Sequence, residues 1–210
     1  SGHGQTPSAH QRRATTASQP HQTTSSHTNR LTHKPPHTHT LRPSLKMSND
    51  NDIPHEETDL GKVQACFDFF SRRDQKGWMH HLLPHIKILS ASSLPTPTIT
   101  FSFTVDPSHA NGFANLHGGA AASLLDFCTT LLLALVCRPG FWQTMGVSRT
   151  LNTTYMRPAP VGIEVLIECE MLQVGKRLCA LRGTMRRKSD GELLCVCEHN
   201  KANVDPDPKL

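Results

Sequence analysis

The spacing of apolar residues changes period several times after residue 58, and each change marks an element. Leu60, Val63, Cys66, Phe67 and Phe70 recur at helical spacing, so residues 60–73 are predicted as a short amphipathic helix capped by Asp59. Residues 85–90 and, after a proline-broken stretch, 99–105 read as strands; in the second, Ile99, Phe101, Phe103 and Val105 alternate with Thr100, Ser102 and Thr104. Residues 116–137 read as a long, mostly apolar helix stopped by Arg138, Pro139 and Gly140. Four more strands are expected at 145–156, 163–172, 178–187 and 193–199. Glu164, Glu168 and Glu170 give the second of these one wet face, and Ser189-Asp190-Gly191-Glu192 is a hairpin signal before the last. One buried helix followed by a meander too short to close as a barrel implies an α+β fold, with an antiparallel sheet wrapped around the helix.

Composition divides the chain. Residues 1–46 hold no Asp, Glu, Met or aromatic residue, while Ser, Thr, His and Pro dominate. A disordered basic tail is expected there, then an acidic linker over 47–58, the folded domain over 59–204 and a short tail over 205–210. The six basic residues of the tail exceed the net charge of +5 of the whole chain, so the remainder is close to neutral and nothing in it suggests nucleic-acid binding. An acid-free, Arg-containing N-terminus has the composition of a mitochondrial transit peptide, but its prolines interrupt the amphipathic helix such a peptide needs, so targeting segment and upstream extension both stay open. The most apolar stretch, 127–137, is well short of the roughly 20 residues of a membrane span, and no secretory signal is visible. Seven cysteines without a CxxC pair read as reduced thiols of an intracellular protein, cytoplasmic or mitochondrial. Cys195, Cys197 and His199 alternate and could share one strand face, but small core residues explain them better than zinc ligands. Pro84 likewise argues against a metal cluster of His80, His81 and His85.

The stretch that carries chemistry is Asn111-Gly-Phe-Ala-Asn-Leu-His117-Gly118-Gly119, running into the helix that contains Asp126. Gly118 and Gly119 at a helix start expose backbone N–H groups without intrahelical acceptors, and without Cβ they let a substrate carbonyl come close. An oxyanion formed there gains from the helix dipole, and losing one such donor typically costs about 3 to 4 kcal/mol of transition-state energy. Asp126 is eight residues beyond Gly118, roughly 12 Å along the helix, which is too far to serve the same carbonyl. Two such helices packed antiparallel across a two-fold axis would bring the Gly118 end of one beside Asp126 of the other. Gly119, Ser123, Asp126, Thr130 and Ala134 form a small and polar stripe suited to that packing.

These residues, with Gly146-Val147-Ser148, Asn152, Tyr155-Met156, Pro158-Ala159, Gly162 and Gly175-Lys176, resemble the hotdog-fold thioesterase superfamily, specifically its PaaI-like acyl-CoA thioesterases, over about 108–203. The resemblance implies a central helix wrapped by a sheet, dimerisation through sheet edges and pairing of dimers into tetramers. It implies acyl-CoA as substrate and no cofactor or metal. It also implies roles: Asn111 and the Gly118 N–H hold the thioester oxygen, Asp126 is general base or nucleophile, Ser148 orients water and His117 positions the loop or thioester. Gly119, Tyr155, Met156, Arg157, Pro158, Ala159 and Pro160, together with Gln173, Val174, Gly175, Lys176, Arg177 and Leu178, are the implied coenzyme A site. Arg157, Lys176 and Arg177 are cations on turns, suited to phosphate. The sequence departs from the pattern at Arg149, Thr150 and Phe141-Trp142-Gln143. Rival readings on the same fold are a dehydratase acting on acyl chains, which would use its histidine as base, and a non-catalytic acyl-CoA binder. A serine hydrolase lacks its GxSxG elbow here, and a nucleotide enzyme lacks its glycine loop.

Overall fold

A computed structural model of the chain describes residues 56–74 and 76–206. The tail expected over 1–46, most of the linker and the last four residues lie outside them. The expected α+β architecture is present: helices α1 (Asp59–Arg73) and α2 (Gly118–Thr130) and strands β1 (Ile86–Ser92), β2 (Thr98–Thr104), β3 (Val147–Tyr155), β4 (Glu164–Val174), β5 (Leu178–Arg187) and β6 (Leu193–Ala202). The six strands form one sheet in the order β1-β2-β4-β5-β6-β3, every neighbouring pair antiparallel.

α2 lies against this sheet. Leu124, Leu125 and Cys128, with Leu131, Leu132 and Leu133 just beyond the helix, are fully buried in one cluster with Ile99, Phe101, Phe103, Ile167, Leu181 and Met185. The helix is shorter than the predicted 116–137 at both ends. Leu116 spends its N–H on the Ala159 carbonyl at 2.7 Å and His117 serves as N-cap, while Leu131–Leu135 tightens into 3-10 turns. By length and composition Gly118–Leu135 would suffice for a membrane span, yet 56% of it is buried inside the protein, where the sheet covers its apolar side chains. α1 adds a second layer, its Phe67 and Phe70 meeting Phe127 edge to face at 5.8 and 6.2 Å. Its cap is Thr58, not the predicted Asp59: the Thr58 hydroxyl accepts from Gly61 N at 3.0 Å, and Asp59 in the first turn accepts from Ser93 N instead.

The outer face of the sheet is wet as predicted, with Glu164, Glu168 and Glu170 paired to Lys188, Arg186 and Arg182. Such exposed pairs contribute about 0 to 1 kcal/mol each, so the core and not this ladder stabilises the sheet. All seven cysteines are free, and Cys195 and Cys197 are core residues on the inner face. The folded chain runs one residue past the expected boundary, because Asp205 accepts hydrogen bonds from the backbone N–H groups of Gln143 and Thr144.

At Gly183, in the middle of β5, α2 comes so close that an added Cβ would lie 2.9 Å from Leu125 Cδ2 and 3.0 Å from Thr129 Cγ2. Leu125 and Thr129 are themselves fully buried, so shifting either side chain disturbs a packed core. Gly183→Val is therefore expected to cost about 1 to 3 kcal/mol of stability, read from denaturant titration. An unchanged midpoint would show that the helix can lift off the sheet.

Candidate active site

The predicted site residues fall into two groups on one chain. The first surrounds the start of α2. Asn111 Oδ1 accepts from Phe113 N at 2.9 Å and Asn115 N at 3.3 Å, which turns the loop and leaves the carboxamide NH₂ as a donor toward the adjoining cleft. His117 Nδ1 accepts from Gly119 N at 3.0 Å. The Gly119 donor is thus spent on the cap, whereas the Gly118 N–H, beside the cleft, makes no bond to another described residue. Tyr155 holds this helix start by donating its hydroxyl to the Gly118 carbonyl at 2.7 Å. Asn111, Gly118, Tyr155, Met156, Pro158 and Ala159 line a cleft of about 430 Å³, together with Phe113, which is 87% exposed.

The second group is centred on Asp126. β3 carries a bulge between Ser148 and Thr150, so Ser148, and not Arg149, takes the inward position opposite Lys201. Ser148 Oγ donates to Asp126 Oδ1 at 2.8 Å. Behind them stands the wholly buried His199, its Nε2 lying 2.9 Å from Ser148 Oγ and 3.2 Å from Asp126 Oδ1. The tautomer follows from the neighbours. Thr129 Oγ1 is 2.6 Å from the Leu125 carbonyl and donates to it, so His199 Nδ1 must donate to Thr129 Oγ1 at 2.7 Å, leaving Nε2 as an acceptor. The Ser148 hydroxyl therefore has two acceptors within reach. Lys201, also buried, donates to Thr130 Oγ1 at 3.0 Å. Burial first, and then the Lys201 charge, push the His199 pKa down to about 4 against the pull of Asp126. Burial lowers the pKa of Lys201 as well.

A carboxylate and a serine at hydrogen-bond distance, exposed enough to meet water, stand on the same helix that offers a free N–H at its start. The thioesterase superfamily model matches residues 113–194, a span that contains His117, Gly118, Asp126, Ser148 and Tyr155. Acyl-coenzyme A thioesterase 13 of Mus musculus is 34% identical over 115 residues, 55% of this chain and 79% of that protein. The chain belongs to the thioesterase superfamily. The crystal structure of thioesterase superfamily member 2 from Mus musculus, 26% identical, superposes with a TM-score of 0.58 over 70% of this chain and 98% of that one. A hypothetical thioesterase from Streptococcus pneumoniae, solved with coenzyme A, shares the fold at 17% identity and a TM-score of 0.50, over 59% of this chain and 91% of that one.

The expected coenzyme segments of this thioesterase do not lie together within one chain. Tyr155, Met156, Arg157, Pro158 and Ala159 border the cleft at the helix start, whereas Lys176, Arg177 and Leu178 line a separate cavity of about 440 Å³. The strand ladder explains this, because Leu178 pairs with Ala202 and Ala202 with Val147, at the opposite end of β3 from Tyr155. Arg157, expected as a turn cation suited to phosphate, pairs with Glu192 at 2.6 Å. Ala159 is buried and contributes its backbone, and Pro160 bridges to Asn115. Gln173 is exposed next to a bulge in β4, with Val174 and Gly175 completing the turn.

Sequence reasoning missed His199, Lys201 and Thr129. The strand alternation did put His199 on the inner face, but nothing in it named a partner. His199 takes up a proton near pH 6.5 in the unfolded chain and only near pH 4 in the folded thioesterase. Acidification across that window therefore favours unfolding, while above it this group leaves stability unchanged. The melting temperature of the wild type is expected to fall more steeply between pH 6.5 and 4 than that of His199→Gln. Parallel curves would mean that His199 is protonated in the fold.

Proposed function

We propose that this thioesterase hydrolyses acyl-CoA to free acid and coenzyme A at a site shared between two copies of the chain. The observation that carries the reading is the 2.8 Å hydrogen bond between Ser148 and Asp126, on the accessible side of an otherwise apolar helix. The substrate class is supported by the similarity to acyl-coenzyme A thioesterase 13 and by the coenzyme A held in the Streptococcus pneumoniae relative of the same fold.

In this mechanism the thioester oxygen lies between the Gly118 N–H and the Asn111 carboxamide of one copy. A water on Ser148 of the other copy attacks the carbonyl carbon and gives its proton to Asp126. The carbonyl electron pair moves onto the oxygen, where the two donors and the start of α2 stabilise it. As the C=O double bond re-forms, the C–S bond breaks and the sulfur leaves as a thiolate that takes the proton back from Asp126. The Ser148 hydroxyl keeps its bond to Asp126 Oδ1, so the water's proton goes to Oδ2 of the same carboxylate, with His199 Nε2 standing behind the pair as a second acceptor. His117 caps the helix and so holds the Gly118 N–H in place. The dehydratase alternative would need a histidine as base, but His199 is fully buried, and the exposed His117, whose Nδ1 accepts from Gly119 N, carries its proton on Nε2 and presents a donor there.

The sharing follows from distance. Eight helical residues separate Gly118 from Asp126 by roughly 12 Å. β3, an edge strand whose residues are mostly exposed, offers the surface on which a second copy can add. Dimerisation through this edge, with dimers pairing into a tetramer, is the assembly proposed.

Thiol release from a panel of acyl-CoAs, followed with a chromogenic disulfide, tests the activity. Asp126→Asn should lower turnover by about 10² to 10⁴ with little change in binding of a non-hydrolysable analogue, and Ser148→Ala by about tenfold. An Asp126→Asn enzyme keeping more than about a tenth of wild-type turnover would remove the general-base role. A second experiment addresses the sharing. Co-refolding Asn111→Ala chains with Asp126→Asn chains should restore about a quarter of wild-type activity, because half the dimers are mixed and each mixed dimer keeps one intact site. No recovery would place each site within a single chain.

A further inference from the structure

The segment Phe141-Trp142-Gln143, which departs from the family pattern, has no part in the reaction just described. Trp142 is nevertheless fully buried, and both it and Met145 adopt left-handed backbone, at φ +56° and +59°. Such conformations in bulky residues persist only where the surroundings over-determine them. Gly146, at φ +59°, makes room for the ring, since an added Cβ would lie 2.6 Å from Trp142 Cζ3 and would collide with the Ala202 carbonyl. Asp205 fixes the other side of the loop by accepting from Gln143 N, Thr144 N and the Thr144 hydroxyl at 2.8, 2.9 and 2.6 Å.

This rigid loop acts on the turn between β4 and β5. Trp142 Nε1 donates to the Gly175 carbonyl at 2.8 Å. Asn203 donates from its side chain to the Lys176 carbonyl at 3.0 Å and from its backbone to the Arg177 carbonyl at 2.9 Å. Three successive carbonyls are therefore drawn into the protein. In a trans peptide the N–H points opposite to the carbonyl before it, so the N–H groups of Lys176 and Arg177 are turned outward. Neither makes a hydrogen bond to another described residue, and both side chains are exposed at the cavity of about 440 Å³ beside Gly140, Asn203 and Asp205, whose carboxylate oxygens are both engaged by Gln143 and Thr144. Outward amides with two cations, and carbonyl oxygens held away, make a surface for phosphate groups.

We propose that Trp142 and Asn203 are positioning residues that hold the Lys176-Arg177 turn in a preformed phosphate-binding shape for the coenzyme of the substrate. The inference rests on the acyl-CoA reading above. Its test compares an acyl-CoA with the same acyl group on N-acetylcysteamine, a thioester without phosphate. Trp142→Phe keeps a ring in the core and removes only the N–H donor. It should raise KM for the acyl-CoA by about three- to tenfold, leave kcat within about twofold, and leave kcat/KM for the N-acetylcysteamine thioester unchanged. In a Lys176→Ala, Arg177→Ala background its effect should be smaller, since only the outward amides remain to be oriented. Asn203→Ala should show the same pattern and stands in if Trp142→Phe does not fold, which a melting curve would reveal. A KM that does not move, a loss shared by both substrates, or an effect just as large without the two cations would overturn the inference. A wild-type enzyme inactive on every acyl-CoA would instead overturn the reading on which it rests.

Discussion

Everything in this fold depends on burying one apolar helix against one curved sheet. Leu124, Leu125, Leu131, Leu132 and Leu133 are wholly removed from water, and at about 2 kcal/mol apiece their burial outweighs any polar contact in the molecule. That packing dictates where chemistry can sit. Against the sheet α2 carries a polar group only where it finds a partner, as Thr129 does in His199, whereas Asp126 lies on the free stripe with its side chain 42% exposed. A carboxylate there meets water, and Ser148 and the buried His199 stand at 2.8 and 3.2 Å from its Oδ1. The helix start is fixed by the same packing. Tyr155 holds the Gly118 carbonyl and His117 caps Gly119, so one donor is left facing the cleft.

The polar layer beneath Asp126 illustrates how such a site is tuned. Thr129 and Thr130 occupy adjacent positions on α2 and reach His199 and Lys201, which alternate on the inner face of β6. Each threonine thus ties a helix position to a strand position, setting the helix relative to the strand that neighbours Ser148. The bulge at Arg149 completes the arrangement, because without it the inward place on β3 would fall to a long cation instead of a hydroxyl. Positive charge would then sit against Lys201, in a place where burial already opposes charge.

Periodicity reveals which residues share a face, and that sufficed for the sheet, for the buried helix and for the polar stripe with Asp126. The glycines of His117-Gly118-Gly119 were legible because a helix start has unspent N–H groups whatever surrounds it. His199 was not. It lies 51 positions from Ser148, and alternation on β6 could only assign it to the inner face with Cys195 and Cys197. The partner of Arg157 was hidden for a related reason: nothing in the spacing shows that the hairpin carrying Glu192 folds back on that turn. The ends of α2 were read too long because the run of leucines continues through Leu135, and apolar pattern alone does not separate an α-helix from the tighter turns that follow it.

The two separations within one chain have a common geometry. Gly118 and Asp126 are set apart along α2, and the Tyr155 rim and the Lys176-Arg177 turn are set apart along β3, whose ends are about 26 Å from each other at 3.3 Å per residue. A two-fold axis crossing both elements reverses both directions at once. The rotation that would bring Asp126 of a second copy to the first copy's Gly118 would also bring its Lys176-Arg177 turn toward the first copy's Tyr155, since Tyr155 and Gly118 are joined by a hydrogen bond. Catalytic group and phosphate site would then arrive together from the same neighbour. In that assembly the β3 edge, Trp142 behind the turn and Ser148 at the bulge all serve one ligand, whose reacting carbonyl is held by one chain while the other supplies the attacking water.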